Sequence, residues 1–172
     1  MLLSSGFGCE PQAFQKEGNL ARLSIRLLGP FSVILDQEPV SDFESDKVRA
    51  LLAYLATEPD RPHRRETLAS LLWSERPERD ARRNLRHALA SLRLAIADHQ
   101  DGANFLLISR KTIQFNSQSD AWCDAADFIE IVDGSSPAQQ TIPQLEQAAA
   151  LYGGPFLEGF SLPDSVLFGE WL

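Results

Sequence analysis

RPERDARRNLRHALASLRLAIAD, residues 76–98, decides how this chain is read. The stretch holds six arginines, Arg76, Arg79, Arg82, Arg83, Arg86 and Arg93, against three acids, Glu78, Asp80 and Asp98. At about 100° per residue, Ala81, Leu85, Ala88, Leu89, Leu92 and Ile96 gather on one side. Arg79, Arg83, Arg86, His87 and Ala90 fall opposite, and Arg93 sits on the flank. The spacing predicts a helix over about Glu78–Ala97, with Pro77 in its first position. Arg82 leans toward the apolar edge, within reach of Glu78 four residues back. One face suits a protein core and the other suits a polyanion.

That second face stands out because the chain as a whole is acidic. The 172 residues carry a formal charge of −8. Residues 1–46 have three basic and seven acidic residues, 47–99 eleven and seven, and 100–172 two and ten. A basic middle between acidic ends indicates a local polyanion site, since partner choice follows the local field. Hydrophobic content of 44% is enough for a packed core without disulfides or a structural metal. Cys9 and Cys123 match no metal-ligand spacing, which points to a reducing, cytoplasmic setting. No apolar run approaches the roughly 20 residues of a membrane span, and MLLSSGFGCEPQ lacks the regions of a signal peptide.

Outward from residues 76–98 the organisation is regular. Residues 1–21, with Gly6, Gly8, Pro11 and Gly18, read as a flexible leader. LSIRLL and FSVIL, separated by Gly29-Pro30 and followed by Asp36-Gln37-Glu38-Pro39, read as antiparallel strands. In ESDKVRALLAYLAT, Val48, Leu51, Leu52 and Leu55 predict an amphipathic helix, with Ser45 or Asp46 as its cap. RRETLASLLW predicts a shorter helix with Leu68, Leu71 and Leu72 inward. Beyond Gly102, FLLISRKTIQF predicts a hairpin with Ser109-Arg110-Lys111 at its tip. After a composition break at 116–120, AWCDAADFIEIV reads as a short helix, followed by a loop at Gly134-Ser135-Ser136-Pro137. Thr141 to Tyr152 reads as another helix, ended by Gly153, and SVLFGEWL as the first turns of one more.

Strands, three helices and a basic-tipped hairpin, in that order, make an α+β winged helix-turn-helix with N-terminal antiparallel strands and a C-terminal β-hairpin wing. The third helix would enter the DNA major groove. Arginine pairs bidentately with guanine edges and phosphates, and small Ala90 permits close approach to a base or a thymine methyl. The expected division is 1–21 leader, 22–118 winged helix, and 119–172 the start of an all-α module.

LSIRLLGPFSVIL, DKVRALLAYLA, ETLASLLW, DARRNLRHALASLR and ISRKTIQFN resemble the OmpR-like winged-helix domain of bacterial SARP-type transcriptional activators. DAADFIEIV and LEQAAALYGGPFLEGF resemble the start of that family's bacterial transcriptional activation domain, a TPR-like helical array. The resemblance spans about Arg22 to Leu172. It implies sequence-specific binding to double-stranded DNA, regulation of transcription by activation, RNA polymerase as a partner, and a homodimer on direct repeats. By position, Arg83, Arg86, His87 and Ala90 match the base-facing surface, with Arg79 and Arg93 nearer phosphates. Lys47, Arg64 and Arg65, near helix starts, and Arg110 and Lys111 of the wing are further phosphate-contact candidates. Two departures are expected: the activation domain is cut short, and a receiver domain is missing.

Other chemistries find little in the sequence. His63, His87 and His99 lack metal spacing. Trp73, Phe31 and Phe105 read as core, and Trp122, Phe128, Tyr152, Phe156, Phe160 and Trp171 as packing between helices of the second module. Asp124 and Asp127 suit a helix start, where acids oppose the dipole; no nucleophile, phosphate loop or metal cluster accompanies them. The chain therefore reads as a non-enzyme without a cofactor, metal or membrane partner. The rival reading is a protein-protein interaction module of a larger signalling regulator, without specific DNA binding.

Overall fold

A computed structural model describes residues 22–98, 104–133 and 141–172, together with the backbone of Gln15–Lys16 and Asn19–Leu20. The leader reading, apart from those four positions, lies outside the described residues, as do His99, Gly102 and the 134–137 loop. Strands β1 (Gln15–Lys16) and β2 (Asn19–Leu20) pair antiparallel.

Strand β3 (Leu23–Arg26) alternates buried Leu23 and Ile25 with half-buried Ser24 and Arg26, the two-residue period of a strand with one face on a core. It pairs antiparallel with β4 (Ser32–Leu35), which turns into β5 (Glu38–Pro39). Asp36 (φ 49°) and Gln37 (φ 71°) both take the left-handed conformation at that turn, as the tightest hairpins require. Helix α1 (Asp46–Thr57) follows. Its four-residue apolar stripe understates its burial. Val48 and every residue from Ala50 to Ala56 are buried, because α2, α3, α4 and β8 all pack against it.

The chain continues through β6 (His63–Arg64), α2 (Arg65–Leu72) and α3 (Glu78–Ala95). The hairpin β7 (Leu106–Ile108) and β8 (Thr112–Phe115) adds β6 to make a three-stranded sheet, order β6-β8-β7. Helix α3 buries Ala81, Leu85, Ala88, Leu89 and Leu92, the face set by its 3.6-residue period. Burying each leucine stabilises the fold by about 1.5–3 kcal/mol.

One element differs from its sequence reading. Ala121–Cys123 is not the first turn of a helix but a strand, β9, lying parallel to β3 with Ser24 opposite Trp122 and Ile25 opposite Cys123. The four-stranded sheet has the order β5-β4-β3-β9. Helix α4 (Asp124–Asp133) starts only afterward. The cause is long-range: the buried Asp124 carboxylate accepts from the backbone N–H groups of Leu27 (2.7 Å), Leu28 (3.1 Å) and Ala125 (2.7 Å). Those bonds tie the strand-to-helix junction to the end of β3. Burial raises the Asp124 carboxyl above its ordinary range, against the lowering effect of the three donors.

Helices α5 (Ile142–Leu151) and α6 (Val166–Trp171) complete the chain. At the start of α5, Thr141 donates its backbone N–H to Gln144 Oε1 at 2.9 Å. The segment after α5 folds back on the first sheet. Leu157 N–H donates to Leu27 O (2.7 Å), Gly29 N–H to Pro155 O (3.0 Å), and Glu158 N–H to Gly29 O (2.9 Å). Phe156, Phe160 and Trp171 consequently pack on the main core rather than within a separate helical module. Trp171 meets Tyr54 of α1 edge to face, centroids 5.0 Å apart, and Phe31 lies between Phe43 and Phe160.

Candidate nucleic-acid interface

The outward side of α3 is strongly cationic, and its charges are partnered unevenly. Arg83 pairs with Asp80 one turn back at 3.0 Å. Arg82 pairs with Glu78, as its spacing indicates, and lies 3.5 Å from Glu66 of α2. Arg79 and Arg86 are exposed and make no ion pair with the described residues. His87 and Ala90 are exposed on the same side. Leu94 joins them, 75% exposed, an apolar member of this face that the sequence reading passed over. Its position follows from the period alone, four residues beyond Ala90.

The hairpin tip is built by Ser109. Its Oγ accepts the backbone N–H groups of Lys111 (3.1 Å) and Thr112 (2.9 Å), and its carbonyl accepts two bonds from the Arg65 guanidinium (3.2 and 3.0 Å). Arg65 N–H also donates to Lys111 O at 3.0 Å. Arg65 therefore braces the tip from the first turn of α2. Arg64, opposite Thr112 in the β6–β8 ladder, points away exposed, as do Arg110 and Lys111. The start of α2 joins this group to α3 through the Glu66–Arg82 contact. Arg64, Arg65, Arg110 and Lys111 thus gather at the tip end of the β6–β8 ladder.

Two other candidates have intramolecular partners. Lys47 is half-buried at the far end of α2, where Nζ donates to Leu72 O, pairs with Asp164 (2.8 Å) and lies 5.8 Å from the Trp73 ring centroid. An eight-residue helix is about 12 Å long, so Lys47 is separated from the hairpin tip by the length of α2. At the end of α3, Arg93 Nε donates to Asp98 Oδ2 at 3.1 Å. Asp98 counts in the sequence only as one of the three acids of residues 76–98. It is buried, and its Oδ1 accepts the N–H groups of Phe105 (2.8 Å) and Leu106 (3.3 Å) at the start of β7.

Two further titratable groups serve the fold. His63 is buried, with Nε2 2.9 Å from Glu58 O. Asp127 accepts from Trp122 Nε1 at 2.7 Å. Among the described residues no group of three His, Cys, Asp or Glu could hold a metal ion, and no helix is long and apolar enough to cross a membrane.

No family model matches the chain, and no curated protein matches it. Among solved structures, Mycobacterium tuberculosis EmbR in complex with a low-affinity phosphopeptide is similar, with a TM-score of 0.64 and 25% identity. The likeness covers 87% of this chain and 40% of the EmbR chain. The mixed α/β fold built around α3 is therefore similar to a part of EmbR.

Proposed function

We propose that the chain is a transcriptional regulator that binds duplex DNA through a winged helix, with α3 in the major groove and the β7–β8 hairpin as the wing. One observation carries this reading: Arg79 and Arg86 are exposed on the outward face of α3 with no ion pair to the described residues, in a chain whose hairpin tip bears exposed Arg110 and Lys111. The start of α2 links the two elements, with Arg65 holding Ser109 O at the tip and Glu66 lying against Arg82 of α3. The resemblance to SARP-type activators and the likeness to EmbR support the regulatory role.

In this reading Arg83, Arg86, His87 and Ala90 face base edges, and Arg79, Arg93, Arg64, Arg110 and Lys111 face phosphates. Arg65 contributes chiefly by holding the tip. Lys47, committed to Leu72 and Asp164, drops out of the contact set. Helices α4 and α5, packed on each other, start a TPR-like helical module that engages RNA polymerase, and paired copies occupy direct repeats. Exposed Ile142 and Leu145 on α5 offer that module an apolar protein-binding surface.

The test is selection of the chain on random duplex DNA at two salt concentrations. A reproducible sequence should emerge, and if about six phosphates are engaged, log K should fall with log salt at a slope of roughly −5. A flat salt dependence with no sequence enrichment would sink the reading and favour a protein-interaction module.

A further inference from the structure

We propose that Asp98 is a positioning residue, aiming Arg93 at a DNA phosphate that lies between the last turn of α3 and the base of the hairpin. The inference rests on the DNA-binding reading above. The Asp98 side chain is fully buried, whereas that of Arg93 is 36% exposed, so the pair spans the boundary between core and surface. The carboxylate uses both oxygens. Oδ1 receives the Phe105 and Leu106 N–H groups, and Oδ2 receives Arg93 Nε. One carboxylate therefore joins the end of α3 to the start of β7.

The geometry of the guanidinium gives this arrangement its function. Arginine presents its donors as a planar fork. With Nε held by Asp98, the swing of the fork is restricted, and the two terminal nitrogens have no hydrogen-bond acceptor among the described residues. A fork with its inner edge held and its outer edge vacant matches a phosphate, which accepts two parallel N–H bonds. Because Asp98 also holds the first residues of β7, the fork is set relative to the hairpin as well as to α3. A fixed arginine loses less rotamer freedom on binding than one waving from the surface, and that difference favours the contact.

The carboxylate also explains why a bare cation in this place would be insufficient. Asp98 offsets the Arg93 charge, so the pair adds little to long-range attraction. What it adds is direction at short range.

A double-mutant cycle on the full chain, with the selected duplex as probe, tests the proposal. Asp98→Asn keeps an oxygen for the Phe105 N–H but weakens the hold on Arg93. In the wild-type background Asp98→Asn and Arg93→Gln should each weaken binding about five-fold. Together they should weaken it no more than Arg93→Gln alone. Equal losses from Asp98→Asn with and without Arg93 would mean that Asp98 acts only on the fold, and would overturn the proposal. Arg93→Lys supplies the check that leaves Asp98 intact. It keeps the charge without the fork, and should lose most of what Arg93→Gln loses; wild-type affinity in Arg93→Lys would overturn the proposal by itself. Wild-type binding with no effect of Arg93→Gln would defeat this inference while leaving the DNA-binding reading standing. Loss of the parent reading would instead appear as absence of a selected sequence for the unmutated chain.

Discussion

Lys47 Nζ lies 2.8 Å from Asp164 Oδ1 and also donates to the Leu72 carbonyl, so one α1 side chain fastens the end of α2 to the segment before α6. The Lys47 ammonium, by hydrogen bond and charge, holds the Asp164 carboxyl below its ordinary range. A depressed folded pKa contributes stability that is present above the unfolded value and lost as pH falls through the folded one. Asp164 is largely exposed, so solvent screening keeps this contribution small. Lys47→Met should lower stability by about 1 kcal/mol at neutral pH. The difference from wild type should shrink on acidification below the ordinary carboxylate range, as urea titrations at several pH values would record. The salt slope of DNA binding should be unchanged; a drop of about one in that slope would return Lys47 to the phosphate contacts.

Arg86 and Lys111 should separate specificity from general affinity. Arg86→Ala should lose about 1–3 kcal/mol on the selected sequence and little on random DNA. Lys111→Ala should weaken both alike. Competition binding on the two duplexes distinguishes them, and equal weakening by Arg86→Ala would reduce that residue to a phosphate contact.

Two backbone positions should both favour glycine. A Cβ at Gly153 would stand 2.7 Å from the Leu28 carbonyl oxygen, in the place where the returning chain meets the first sheet. Gly153→Ala should destabilise by about 1–3 kcal/mol, since backbone on both sides must shift. Gln37, at φ 71°, is strained for a residue with a side chain. Gln37→Gly should therefore stabilise by about 0.5 kcal/mol. Chemical denaturation of the two variants gives both signs, and a neutral Gly153→Ala would show that the contact can open freely.

Cys123 should be inert in the native protein. Burial, with help from the neighbouring Asp124 charge, pushes its thiol up to about 12, so almost no thiolate exists at neutral pH. Iodoacetamide followed by peptide mass spectrometry should find Cys123 unmodified in the folded chain and modified after guanidinium. Rapid native labelling would mean that β9 opens from β3.

Helix α3 was legible from its sequence because helical periodicity is local. Leu85 and Leu92 lie on one side and Arg79 and Arg86 on the other by spacing alone, and the structure buries and exposes them accordingly. The Arg82–Glu78 pair, four residues apart, was readable for the same reason. The hairpin tip was equally local, since Ser109-Arg110-Lys111 separates two apolar runs.

What the sequence by itself determined, then, was which residues share a face of one element. Tertiary structure decided which charges remain for a partner. Arg93 and Lys47 looked like Arg86 in the sequence, each a cation on or near a helix. Arg93 is held by Asp98, Lys47 by Asp164 and Leu72 O, while Arg86 has no acid beside it among the described residues. Ala121–Cys123 became a strand because β3 lies beside it and Asp124 caps the backbone of Leu27 and Leu28, 97 and 96 residues earlier. Such bonds depend on distances in space between groups far apart in the chain, and no period of 2 or 3.6 residues encodes them.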